Sequence, residues 1–341
     1  MQIVAVAMFR SSLSTLFAFT LAGCPLSAHA QDQAPEKPKQ LVIVSFDGAH
    51  DNRLWEKSRD MAKRTGAHFT YFLSCTFLMT KEDRKSYQAP HEKRGKSNVG
   101  FAPDDADVIK RLDEIWLARS EGHDIGSHAC GHFDGAKWNV DDWKQEFDFF
   151  RNTLREAWVN AGVPEREPVE WRDFVDKDII GFRAPYLSTS PSLVKALREF
   201  GFRYDASQVS KGPALPRAAD YGLVHFALPL IPEGPSAKPV IGMDYNLFVR
   251  HSLGIEDKKH SATYEERTLA AYRAAFERQY EGDRIPLQLG FHFVEMNGGA
   301  YWRALDRFLT EVCAKPDVAC VSHREAMDIV AREKKAAGAA L

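Results

Sequence analysis

The sequence has no excess of charge of either sign. Over 341 residues, 45 basic side chains stand against 47 acidic ones. A nucleic-acid binder normally shows a basic excess or stripe, and this balance argues against one. Beyond residue 30 no apolar run is long enough to form a transmembrane helix. There is no internal repeat, and no low-complexity tract follows the Pro-, Lys- and Gln-rich stretch 31–40. No CxxC pair is present, which argues against a cysteine metal site, and no HExxH, which excludes a zincin signature. What remains is ordinary globular composition, 44% hydrophobic, in a chain long enough for one large α/β domain or two smaller ones. The aromatic share of 11%, with 7 Trp, suits a cleft that stacks sugar rings, although a plain core uses the same residues.

Residues 1–30 contain one charged side chain, Arg10, followed by a short apolar run and small residues. That is the pattern of a secretory signal peptide. Ala28-His29-Ala30 reads as a cleavage site, whereas Leu21-Ala22-Gly23-Cys24 reads as a lipobox that would anchor the chain to a membrane through Cys24. The expected location is the periplasm or cell envelope. The organisation expected is a signal peptide at 1–30, a linker at 31–39, one domain at 40–333 and a tail at 334–341. Without Cys24 the cysteine count is even, as an oxidising compartment favours. Cys313 and Cys320 flank a turn-rich link and are expected to pair locally. Cys75 and Cys130 are either buried thiols or a pair joining neighbouring strands.

Strand and helix patterns alternate along the chain. Strands are expected at 41–46, 68–73, 124–127, 179–182, 223–228, 287–293 and 319–321. Helices are expected at 53–65, 105–121, 140–161, 191–201, 301–313 and after His323. Such alternation implies a parallel sheet covered by helices, here a closed or nearly closed β/α barrel in one domain. In such barrels the chemistry gathers at the carboxyl ends of the strands. Five polar motifs fall at those ends. Asp47 closes an apolar strand, where a carboxylate is costly unless used or paired, though a turn Asp before a helix is the simpler reading. His128 and His132 stand four apart after a strand and can face one divalent metal, or be two surface histidines. Arg183-Ala184-Pro185-Tyr186 offers a carboxylate-binding guanidinium and a Pro-fixed turn whose Tyr186 amide could face an oxyanion; a structural salt bridge is the plainer alternative. Asp205 follows another strand and alone reads as a turn residue. His292 lies in an apolar strand and alone reads as a core histidine.

Taken in order, these motifs resemble the polysaccharide deacetylase family (carbohydrate esterase family four, the NodB-homology domain), and 182–187 looks like its chitin deacetylases. The resemblance covers roughly residues 40–330. It implies a distorted (β/α) barrel of the NodB type holding one divalent metal, usually zinc, and hydrolysis of acetyl groups on an acetylated polysaccharide or oligosaccharide. Position by position, Asp47 matches the catalytic base and His128 and His132 match metal ligands. Arg183 matches the residue that orients the base, Tyr186 the oxyanion donor, His292 the general acid, and Asp205 the carboxylate that tunes that acid.

Two positions depart from the family pattern. Gly48 stands where a second aspartate would bind the metal, leaving Asp51 as the expected third ligand, with His50 or Asp47 as alternatives. Ala206 stands where many members place a Trp. The leading expectation is an exported, metal-dependent carbohydrate deacetylase. The alternatives are a non-catalytic glycan-binding pseudoenzyme and an amide hydrolase of small non-sugar substrates.

Overall fold

A computed structural model describes residues 37–218, 222–336 and 338; the signal-peptide and lipobox readings lie outside the described residues. The first strand, β1 (Gln40–Asp47), is buried along its whole length, as its unbroken apolar run requires of a strand covered on both faces. The chain continues through α1 (Asn52–Thr65), β2 (Thr70–Leu73), α2 (Asp105–Ser120), β3 (Asp124–Ser127) and α3 (Val140–Arg155). Asn139 caps α3 through a capping box with Asp142. The helix expected at 140–161 is broken: α4 (Ala157–Asn160) is a separate turn, and α5 (Trp171–Asp173) follows it. Next come β4 (Gly181–Phe182), α6 (Pro191–Phe200), β5 (Tyr204–Ser210), β6 (Arg217–Ala218), β7 (Val224–Glu233) and β8 (Lys238–Ile241). The described chain ends with α7 (Asp244–Ser252), α8 (Ser261–Glu281), β9 (Leu287–His292), α9 (Ala300–Val312), β10 (Val318–Val321) and α10 (His323–Ala336). Among the described residues no helix is long and apolar enough to cross a membrane.

The strands form one curled sheet. β2, β3, β4, β5 and β7 follow β1 in parallel on one side, and β9 pairs with β1 on the other, from Val42↔Leu287 to Asp47↔His292. The two ends meet where the chain after β8 bridges β9 at Met243↔Gly290. There the Gly290 amide donates to Gly242 O and the Gly242 amide to Pro229 O, both at 2.8 Å. A Cβ on Gly290 would lie 2.7 Å from the end of the Met243 side chain, so a larger residue there would have to displace that side chain. The result is the distorted barrel the sequence implied, with its aromatic core around Phe46, Tyr71, Phe291 and Trp302. Two disulfides join Cys75 to Cys130 and Cys313 to Cys320. The first settles the question left open for that pair, and the second is the local link expected.

Candidate active site

The carboxyl ends of β1, β3, β4 and β9 bring Asp47, His128, His132, Arg183 and His292 to one rim of the barrel. Asp47, His128, His132, Tyr186 and His292 line a cavity of about 500 Å³ with Met243 and Tyr245. A smaller cavity of about 180 Å³ shares Asp47, His128, His132 and His292 and extends past His50 to Phe77.

Asp47 and Arg183 are both buried, and Arg183 Nη1 donates to Asp47 Oδ1 at 2.9 Å. The guanidinium is fixed by two further bonds, to Ser45 Oγ at 2.7 Å and to Ala206 O at 3.0 Å. Burial by itself would raise the Asp47 pKa. The Arg183 charge and hydrogen bond, with His128 and His292, outweigh it and hold the carboxyl below its ordinary value. Asp47 is therefore an ionised acceptor facing the cavity.

His128 donates from Nδ1 to Arg183 O at 2.7 Å, which leaves Nε2 as the lone-pair nitrogen. Burial pushes its pKa down to about 3 against the pull of Asp47, so the ring is neutral. His132 is also held below its ordinary value, first by burial and then by His292. The two ring centroids are 5.0 Å apart. Ala129 and His132 have φ of 59° and 54°, left-handed conformations that non-glycine residues adopt only when their surroundings hold them. The holding groups are close by: the Cys75–Cys130 disulfide, Glu146 accepting from Cys130 N at 2.9 Å, and the Tyr87 hydroxyl accepting from Gly131 N at 2.9 Å.

His292 lies opposite. Its Nδ1 donates to Asp244 Oδ1 at 2.7 Å and its backbone amide to Asp244 Oδ2 at 2.9 Å. Burial would lower the His292 pKa, but the Asp244 charge and hydrogen bond, helped by Asp47, raise it. The site thus pairs a carboxyl whose pKa is held down with an imidazole whose pKa is held up, the opposed shifts expected of a base and an acid.

Two expected roles must be corrected. Asp205 does not reach His292. Its carboxylate accepts from His225 Nδ1 at 3.0 Å and from Ser207, and Asp244 takes the place assigned to it. The reason is the barrel closure, which sets the start of α7 against the end of β9. Asp51 is not a cavity residue either. It caps α1, accepting from the amides of Arg53 and Leu54 at 2.8 and 3.3 Å, and it pairs with the Arg53 guanidinium. His50 turns its Nδ1 to Gly48 O at 2.9 Å and stacks on Phe77. Gly48 has φ +65°, so an aspartate there would need a left-handed backbone.

The donor set suits a divalent cation in kind, since His128 is oriented through its second nitrogen as metal-binding imidazoles are. It falls short in number. Among the described residues no group of three or more His, Cys, Asp or Glu side chains is placed to hold a metal ion. His128 and His132 supply two positions, and the three-ligand catalytic arrangement is not assembled.

Ala206 is buried in β5, beside β7 in the sheet. The exposed aromatic rings at the rim are Tyr186 and Tyr245, 59% and 51% exposed; Tyr186 packs edge-on to His132 and Tyr245 to His292. Asp244 and Tyr245 were missed in the sequence. Both follow Gly242, whose bond to β9 completes the barrel.

No family model matches the chain. An uncharacterised 30.6 kDa protein of Geobacillus stearothermophilus is 24% identical over 170 residues, 49% of this chain and 53% of that protein. The chain therefore spans about half the length of the curated relative it matches. A solved structure assigned as a polysaccharide deacetylase from Mycobacterium smegmatis is similar with a TM-score of 0.51 at 17% identity, over 88% of this chain and 93% of that one. Another so assigned, from Pseudomonas aeruginosa PAO1, has a TM-score of 0.50 at 14% identity, over 86% and 92%. The fold of the chain is the one these proteins share.

Proposed function

We propose, from that shared fold and the site built on it, that the chain is a carbohydrate deacetylase hydrolysing acetyl groups, chiefly N-acetyl, from a polysaccharide or oligosaccharide. The observation that carries this reading is the Asp47–Arg183 pair facing the His292–Asp244 pair across one cavity. In the proposed reaction Asp47 takes a proton from water as the water oxygen attacks the acetyl carbonyl. The Tyr186 amide holds the developing oxyanion, a contribution of ~3 kcal/mol for one such donor. His292 gives its proton to the departing sugar amine, and acetate and amine are released. A divalent cation on His128 and His132 would acidify the attacking water and polarise the carbonyl.

The two disulfides support export to an oxidising compartment such as the periplasm. The incomplete ligand set favours a second reading, a glycan-binding protein without turnover. One experiment separates them: acetate release from acetylated chitooligosaccharides, peptidoglycan and acetylated xylan after chelation, with and without added Zn²⁺. Turnover that is lost in Asp47→Asn supports the deacetylase. Saturable glycan binding with no acetate release under any condition overturns it.

A further inference from the structure

The residues around Asp205 form a buried polar chain that the proposed reaction does not use. β5 shifts register against β7 between Asp205 and Gln208. Irregularities of this kind re-aim neighbouring groups. Here two groups in succession face the segment that follows β4. Ala206 O accepts from Arg183 Nε at 3.0 Å, and Ser207 Oγ accepts from Ala184 N at 2.8 Å. Ser207 has one hydroxyl proton, and the Asp205 carboxylate receives it along with the Ser207 amide. With its proton committed there, the Ser207 oxygen can only accept from Ala184. His225 Nδ1 donates to the other Asp205 oxygen at 3.0 Å. Asp205, Ser207 and His225 are all buried.

The segment hung from Ser207 is strained. Tyr186 and Leu187 have φ of 58° and 55°, two consecutive non-glycine residues in left-handed conformation. The Tyr186 ring is largely exposed, so its own burial does not hold the turn. The turn closes back on its start instead, with Leu187 N donating to Ala184 O at 3.0 Å and Ser188 N to Pro185 O at 3.2 Å. Ala184 is the fixed point of the turn, and Ser207 fixes Ala184.

We infer that Ser207, oriented by Asp205 and braced by His225, is a positioning residue that holds the strained turn presenting Tyr186 to the cleft. The kinetic part of this inference rests on the deacetylase reading; the backbone part does not. The test uses the full chain as wild type, Ser207→Ala, Ser207→Thr, Asp205→Asn and the Ser207→Ala/Asp205→Asn double variant. Amide hydrogen exchange is read at 184–188, and kcat and KM on N-acetyl chitooligosaccharides. Ser207→Ala is expected to speed exchange at Leu187 and Ser188 and to lower kcat, each about tenfold, with KM little changed. Ser207→Thr, which keeps the hydroxyl, should restore both. The double variant should be no worse than Ser207→Ala, because both changes break one chain of bonds. Wild-type exchange in Ser207→Ala would overturn the inference, as would equal losses in the Ala and Thr variants. If wild type shows no turnover, the deacetylase reading fails, and exchange alone decides the role of Ser207.

Discussion

Replacing Arg183 with Met removes the guanidinium bonded to the buried Asp47 carboxylate while keeping a comparable apolar volume. Asp47 and Arg183 are 3% and 0% exposed, so the carboxylate would lose its bonded guanidinium in a largely desolvated place. Breaking a buried pair from one side destabilises by about 3–5 kcal/mol, because an uncompensated charge stays behind. The pH dependence gives the sharper test. In the wild type the Asp47 pKa is depressed, so its contribution to stability is present above the ordinary carboxylate value. It is lost as pH falls through the lower folded value. Burial is the largest single influence on Asp47 and acts upward. Without Arg183 burial should prevail, and the folded state should then favour the protonated acid. The variant should gain stability relative to wild type on acidification. Urea midpoints at about pH 7 and about pH 5, taken with a common m-value, measure this directly. The expected result is a gap of about 3–5 kcal/mol near neutrality that narrows at the lower pH. In the Asp47→Asn/Arg183→Met double variant most of the loss should be recovered, since neither partner is then left alone. A gap of similar size at both pH values would refute the account, as would a double variant no better than the single one.

Asp244→Asn should move the alkaline limb of the kcat/KM profile to lower pH, because Asp244 is what raises His292 against its burial. The same linkage makes the His292 contribution to stability present below its ordinary value and lost as pH rises through the folded one. An unmoved limb would remove Asp244 from the proposed role. Alanine pairs at the two disulfides should differ in stability, measured by urea unfolding. The 55-residue separation of Cys75 and Cys130 gives about 4 kcal/mol and the 7-residue separation of Cys313 and Cys320 about 2 kcal/mol on loop entropy. The reverse order would show that loop entropy is not what these bridges contribute. Tyr245→Ala should raise KM for chitooligosaccharides roughly two- to tenfold at near-constant kcat, the value of one aromatic contact; an unchanged KM would place the substrate elsewhere in the cleft.

What could be read from the sequence, and what could not, divides along physical lines. Asp47, His128, Arg183 and His292 stand at or just after the ends of buried strands, where a polar side chain is either costly or used; each alone favoured a plain structural reading, and it was their order and shared placement that singled them out. Asp51 could also have been read correctly. An acidic residue just before Asn52-Arg53-Leu54-Trp55 is a common start signal of a helix, and Asp51 serves as that cap. The partner of His292 was not legible in this way. Asp205 and Asp244 both stand next to strands, and which of them meets His292 depends on the single bridge Met243↔Gly290. That contact joins distant segments and leaves no periodic trace. The helices α7 and α8 escaped for a related reason. The buried face of α8 includes Thr268 and Gln279 among its apolar residues, which blurs the stripe that marks an amphipathic helix. Strand ends announce the polar groups they carry; the pairing of those groups is decided by how the sheet closes, and it is there that Asp205 is given a positioning task and Asp244 its partner.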